Sequence, residues 1–136
     1  MGYANKQSVP FEIDNINHGF QVAKGILKLR DKALELEFEV EDAILGIISS
    51  DVQTIRLSFD DLESIQFKKG WFRAKIILEA VSMHVFEDLP GSEQASCTLK
   101  VKRKDRKEAE QIISTARMQL SEHKLDQMEG GMADNG

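Results

Sequence analysis

The sequence predicts a mainly β protein, with seven antiparallel strands followed by one C-terminal amphipathic helix. Apolar and polar residues alternate over most of residues 20–103, which is the period of a strand with one buried face. After residue 105 the apolar spacing becomes that of a helix with one buried stripe. The chain has 136 residues, of which 41% are hydrophobic, so it can form one domain around one core.

The chain is expected to divide into three parts. Residues 1–18 show no sustained period and are expected to form an irregular N-terminal segment. Residues 19–126 carry the strand and helix patterns and form the predicted domain. Residues 127–136 are polar and rich in glycine, with little to bury, which predicts a flexible tail.

The first predicted hairpin is defined by a ladder of glutamates. Residues 33–41 place glutamate at every second position between apolar side chains, as in a half-buried antiparallel strand. A two-residue turn at Asp31 and Lys32 pairs this strand with residues 20–30. In that register apolar residues meet on one face and lysines meet glutamates on the other, whereas a slip of one residue would mix the faces. The outer pairs are Lys28 with Glu35 and Lys24 with Glu39.

A second hairpin is expected from the next alternating stretch. Residues 54–59 form a strand, Asp60 and Asp61 turn the chain, and Ile65 and Phe67 resume the inward face.

A third turn is predicted at Lys69 and Gly70, where glycine supplies a positive φ. It leads into a strand at 71–80, with Phe72 facing inward and Trp71 facing outward.

The remaining elements complete the predicted order. A short strand is expected near 83–87 and a last strand at 96–103. Asp105 is expected to cap a helix that runs to about residue 125. The buried stripe of that helix is predicted to be Ala109, Ile112, Ile113, Ala116 and Leu120.

The strand order and two local stretches resemble a known domain family. Residues 25–30 and 34–36, GILKLR and LEL, look like the opening hairpin of pleckstrin-homology-like (PH-like) domains. Residues 55–65 followed by 68–72, IRLSFDDLESI and KKGWF, resemble the middle hairpins of bacterial PH-like and GRAM-like domains. The resemblance covers residues 20–125. It implies a seven-stranded barrel of two orthogonal sheets capped by the C-terminal helix. Such domains are mostly non-catalytic modules that bind phosphoinositides, peptides or partner proteins.

One departure from the family disfavours a phosphoinositide site. The resemblance implies a basic loop between the first two strands, but here that loop is only Asp31 and Lys32. The nearby lysines face the glutamate ladder, and a polyanion would meet those glutamates within a Debye length of about 8 Å.

A surface that we call the basic face is the candidate binding site. An exposed tryptophan among cations suits an anionic partner, a membrane interface or a protein contact anchored by an aromatic ring. The competing interpretation is a solvated face on which Trp71 stacks over Lys68 as a cation–π pair. The basic face comprises Lys68, Trp71, Arg73, Lys75, Lys100 and Lys102.

Composition argues against most other classes of function. A net charge of −5 gives no reason to expect nucleic-acid binding, and one cysteine rules out a disulfide framework. Cys97 alternates inward with apolar residues and is expected to be a core thiol, while three scattered histidines predict no metal site. Neither a catalytic residue nor a cofactor site is expected. Without a membrane-span pattern or a signal-peptide core, a cytoplasmic location is expected.

The sequence therefore predicts a non-catalytic binding or scaffold module. It is expected to act through a surface patch or a sheet edge, on a protein partner or on a second copy of itself as a homo-oligomer. The first alternative is peripheral binding to an anionic membrane through the basic face. The second is a small-ligand carrier that uses the barrel interior, which requires a cavity there.

Overall fold

The computed structural model describes residues 7–134, and side chains up to residue 130. It contains seven antiparallel strands and one C-terminal helix, as the sequence predicted, and the strands form one open sheet. The strand order is β4-β3-β2-β1-β7-β6-β5, so β4 and β5 are the two sheet edges. The elements are β1 Ser8–Ile16, β2 Gln21–Leu29, β3 Ala33–Asp42, β4 Gln53–Ser58, β5 Leu62–Lys68, β6 Arg73–Ala80, β7 Ser96–Lys102 and α1 Arg106–Asp134.

The predicted hairpin of β2 and β3 is confirmed in register. Lys28 lies opposite Glu35, and all the remaining pairs of the two strands have the same register. Asp31 and Lys32 both have positive φ, 50° and 59°, which matches the twist of a two-residue hairpin turn. The inner side chains of β3 are buried and its glutamates are half-buried on the outer face.

The expectation of an irregular N-terminal segment is wrong for residues 8–16, which form β1. Val9, Phe11 and Ile13 alternate inward and are buried, although three apolar positions are too few to stand out in the sequence. The strand is stabilised by pairing with β2 and by one pairing with β7, where Glu12 lies opposite Lys100. Residues 1–6 of the expected segment lie outside the described residues.

Two expectations about the middle of the chain are also wrong. The predicted strand near 83–87 is a 3-10 turn at Met83–Phe86, in which only Phe86 is buried. The predicted hairpin of β4 and β5 does not form, because the 3-10 turn Phe59–Asp61 carries the chain from one sheet edge to the other. Phe59 is buried in that turn, so its ring anchors the connection in the core.

The turn between β5 and β6 is wider than predicted. Lys68 lies opposite Lys75, whereas the predicted turn at Lys69 and Gly70 would place Lys68 opposite Trp71. Phe72 is consequently exposed in the loop, whereas the alternation further along β6 is as expected. Gly70 does not adopt a positive φ. A Cβ there would instead lie 2.3 Å from the carbonyl oxygen of Arg73.

Helix α1 buries the predicted stripe and covers the inner face of the sheet. All five stripe residues are buried in the same cluster as the inward side chains of the strands. The helix continues to Asp134, past the expected end near 125 and through most of the expected tail. Residues 135–136 of that tail lie outside the described residues. Among the described helices, α1 included, none combines the length and apolarity needed to cross a membrane.

Candidate binding surface

The cations of the basic face are closer together than predicted. Lys75 lies directly opposite Lys100, and Arg73 directly opposite Lys102. The strand expected near 83–87 would have separated these residues if it lay between them, but no strand forms there and β6 and β7 are neighbours. Neighbouring strands are about 4.8 Å apart, so the side chains of each pair share one small patch of surface.

The lysines continue across a third strand. Lys68 on β5 lies opposite Lys75 on β6, which in turn lies opposite Lys100 on β7. Like charges directly opposite each other destabilise a sheet. This row therefore opposes folding and supplies a strong local field for an anionic group.

Two carboxylates from β1 lie among these cations. The Lys100 ammonium is 2.8 Å from the Asp14 carboxylate, and both groups are partly covered. The Glu12 carboxylate lies 3.7 Å from Arg73 and 3.9 Å from Lys102. The face therefore presents a pattern of both signs, with Lys68 and Lys75 at its basic side.

An aromatic tip stands at the end of this face. Trp71 is 81% exposed and Phe72 is 74% exposed, and their rings meet edge to face with centroids 6.4 Å apart. The Arg106 guanidinium donates a hydrogen bond of 3.4 Å to the carbonyl oxygen of Gly70, which ties the loop to the start of α1. The ring contact described for Trp71 is with Phe72 and not with Lys68, so the structure presents the indole to solvent.

A cleft of about 200 Å³ lies beside the basic face, where β1 and β7 diverge. Lys100, Lys102 and Lys104 line it together with Glu12 and Asp105. The Oδ2 atom of Asp105 is buried without a hydrogen-bond partner among the described residues. The cleft therefore offers several cationic donors to a polar group of a partner.

A second exposed surface was missed by the sequence prediction. We call it the acidic apolar end, and it centres on the loop between β3 and β4. The signal was present as the unbroken apolar run at 43–48, AILGII, which fits neither a strand nor a helix period. The apolar side chains of this end are 57–83% exposed. They are Phe20, Ile44, Leu45, Ile47, Ile48 and Val52.

The loop of the acidic apolar end has a defined backbone. The Asp42 carboxylate accepts hydrogen bonds from the backbone N–H groups of Leu45, at 2.7 Å, and Ile44, at 2.8 Å. These bonds lower the pKa of Asp42, and the bond from Leu45 has the larger effect. Gly46 turns the chain with φ of 71°, and the backbone N–H of Ala43 donates to the carbonyl of Phe20 at 2.9 Å. The loop therefore holds its apolar side chains in water.

The residues considered for chemistry are not brought together. Cys97 is buried, and burial raises the pKa of its thiol to about 12. His84 is exposed on its 3-10 turn, with Nδ1 3.1 Å from the Glu87 carboxylate. Within residues 7–134, no three His, Cys, Asp or Glu side chains lie close enough to hold a metal ion.

The sheet edge beside the helix is a further surface. β5 is the edge strand there, and it bounds a groove against α1. Phe67, Arg117 and Ser121 line it.

Comparisons with known proteins found no matching family model, no similar curated protein and no similar solved structure.

Proposed function

We propose that this protein is a cytoplasmic, non-catalytic binding module whose basic face docks a protein surface rich in acidic side chains. The observation that carries the proposal is the aromatic tip of Trp71 and Phe72 beside the cationic row of β5, β6 and β7. Exposed aromatic residues next to cations are the usual anchors of protein interfaces. The cationic row lowers the stability of the sheet, and a role in binding would explain why these lysines are present.

The mixed charges of the face favour a protein over a membrane. Asp14 and Glu12 lie within ion-pair distance of Lys100 and Arg73. A uniform anionic membrane would be repelled by these carboxylates, whereas a protein partner can match a pattern of both signs. The cleft supports the same preference, because lysines and the Glu12 carboxylate line it together.

We also propose that the sheet is a PH-like barrel of two orthogonal halves. Two features support this proposal. β1 and β7 pair at one position only, Glu12 with Lys100, so the sheet divides there into β1–β4 and β5–β7. The three-residue turn Phe59–Asp61 joins the two outer strands, which requires the sheet to curl.

Two alternatives have less support. Membrane binding through Trp71 and Phe72 fits the exposed aromatic rings but not the neighbouring carboxylates. A small-ligand carrier requires space inside the sheet, and Phe38, Phe59 and Phe86 are fully buried there.

The proposal is tested through Trp71, which is the only tryptophan of the chain. Dilute protein is titrated with poly-L-glutamate at low salt while its fluorescence and acrylamide quenching are followed. We expect the emission to shift to the blue and quenching to fall as the ring leaves water. Lys75→Glu should weaken this response severalfold, and Lys32→Glu, the same charge change on the β2–β3 turn, should leave it unchanged.

Vesicles containing phosphatidylserine provide the second arm. If they co-sediment with the protein at low salt, and Trp71→Ala with Lys75→Glu abolishes this, the membrane alternative is favoured. A Trp71 signal that responds to neither the polypeptide nor the vesicles would contradict the proposal.

A further inference from the structure

We infer that this protein associates head to tail, with the basic face of one copy docked on the acidic apolar end of a second copy. The inference rests on the proposed function, because it takes the basic face as the docking surface and identifies the partner.

The acidic apolar end has the apolar character of an interface. A contiguous apolar surface is uncommon on a monomer and marks a site of interaction. Here Ile44, Leu45, Ile47 and Ile48 stand in water on a loop whose backbone is fixed by the Asp42 carboxylate. A preformed loop loses little conformational entropy on binding, so it is suited to receive a rigid aromatic anchor.

The two surfaces are complementary in charge. The segments at the apolar end, 15–22, 39–53 and 81–95, contain seven Asp or Glu and no Lys or Arg. The segments at the basic face, 68–75 and 100–107, contain ten Lys or Arg and one Asp, and the carboxylates of Glu12 and Asp14 lie among them. Lys24 offsets part of the acidic charge, since it lies 2.9 Å from Glu41. The remaining polarity orients a second copy and speeds its encounter.

The two surfaces lie on opposite sides of the sheet's central row. One row of cross-strand partners runs from Lys75 on β6 to Glu39 on β3, through β7, β1 and β2. The chain reaches Trp71 by running backward along β6 from this row, and it reaches Ile44 by running forward along β3. β3 and β6 run in the same direction, because three antiparallel strands lie between them. The loop before β6, with Trp71, and the loop after β3, with Ile44, therefore lie at opposite ends of the strands. The surfaces therefore meet between copies.

The charges also select the symmetry of the contact. A two-fold contact between two basic faces would oppose lysine to lysine, and one between two apolar ends would oppose acid to acid. A head-to-tail contact pairs opposite charges and covers the aromatic tip with aliphatic side chains. It leaves each assembly with one free surface of each kind, so association continues beyond the dimer.

The first experiment measures mass against concentration. Light scattering coupled to size exclusion should show a mean mass that rises past the dimer at low salt and falls when salt is added, because salt screens the charges. Trp71→Ala with Phe72→Ser should weaken the association about tenfold to thirtyfold, as expected for aromatic anchors. Ile44→Ser with Leu45→Ser should do the same. All four side chains are exposed, so both variants should fold.

Mixing the two variants tests the head-to-tail arrangement. Each variant retains one intact surface. At a concentration where each variant alone is monomeric, a mixture of the two should form a one-to-one dimer and nothing larger. Met118→Ser with Leu125→Ser removes two exposed apolar side chains of α1 and is the matched control, expected to behave as the wild type.

Three results would overturn the inference: a wild type that is monomeric at every concentration, a Trp71/Phe72 or Ile44/Leu45 variant that associates as the wild type does, or a mixture of these two variants that stays monomeric. The proposed function has a separate readout. If the wild type is monomeric but poly-L-glutamate still protects Trp71, the basic face binds another acidic protein and only the inference fails. If the wild type does not self-associate and poly-L-glutamate does not protect Trp71, both the inference and the proposed function fail.

Discussion

Lys75 on β6 and Lys100 on β7 lie directly opposite each other, so two ammonium groups are neighbours across the strands. Asp14 pairs with Lys100 at 2.8 Å, so one lysine of the pair is compensated through β1. Lys75 faces Lys68 on its other side. The fold therefore retains an unfavourable row of like charges at the surface that we propose for binding.

Lys75→Glu should stabilise the fold and weaken binding. The new carboxylate would lie opposite Lys100 and Lys68, which turns two repulsive pairs into attractive ones and adds about 0.2–1 kcal/mol each to the free energy of unfolding. Urea unfolding measures this change, and the Trp71 titration measures the loss of binding.

The matched control for that change is Lys28→Glu. Lys28 lies opposite Glu35 on the glutamate ladder, so the same substitution should lower the free energy of unfolding. Equal shifts in both variants would show that cross-strand charge does not govern stability here.

Gly25→Ala should destabilise the sheet by about 1–3 kcal/mol, the range for forcing an extra carbon into a packed site. Gly25 lies between Phe11 and Phe38 in neighbouring strands. A Cβ at this position would lie 2.0 Å from the carbonyl oxygen of Glu37, and backbone cannot move aside cheaply. Urea unfolding checks the loss. Gly130→Ala on α1 meets nothing within 4 Å and should leave stability equal or slightly higher.

The far end of α1 should loosen in acid. The Asp60 carboxylate contacts His123 at 2.7 Å and also accepts a hydrogen bond from Gln127. The His123 bond, followed by the Gln127 bond, lowers the pKa of Asp60 below its usual 3.8. The stabilisation is thus complete above pH 3.8 and is lost as the pH falls through the lowered folded value.

Amide hydrogen exchange of residues 121–127 measures this clamp. Asp60→Asn should speed their exchange at neutral pH, whereas Asp61→Asn, one residue along the same turn, should not. An exchange rate that is the same in Asp60→Asn and wild type would show that the carboxylate does not hold the helix.

Cys97 should resist alkylation in the folded protein. Its side chain is buried, and burial raises the pKa of the thiol to about 12, so little thiolate exists near neutral pH. Iodoacetamide at pH 8 should leave the native thiol unmodified and label it rapidly in urea. Fast labelling of the native protein would mean that β7 opens readily.

The elements predicted well are those defined by neighbouring residues. In the β2–β3 hairpin, the turn and both faces lie within about twenty consecutive residues, and a slip of one residue would bury glutamate. The stripe of α1 is equally local. The basic face also follows from alternation, which places Arg73, Lys75, Lys100 and Lys102 on outer faces wherever their strands lie.

The errors share one physical cause, which is that pairing between distant segments leaves little trace in local periodicity. β1 buries only three alternating apolar side chains, and it becomes a strand because β2 and β7 offer it partners. Met83–Phe86 alternates weakly but lies between β6 and β7, which already pair with each other and leave it no partner. The β5–β6 turn needs no positive φ at Gly70, and the close approach of the Arg73 carbonyl to that position is not visible in the sequence.

The sequence by itself determined the strand-rich class, the inward and outward faces, and the amphipathic C-terminal helix, because each depends on the spacing of neighbouring side chains. Only the tertiary structure decided which strands are adjacent. The pairing of β6 with β7 places Lys75 opposite Lys100. The fold leaves Trp71 and Phe72 exposed at one end of the strands, and Ile44 and its neighbours exposed at the other end. Those relationships depend on contacts between residues far apart in the chain, whose loop-closure cost and packing gain are not expressed in any local pattern.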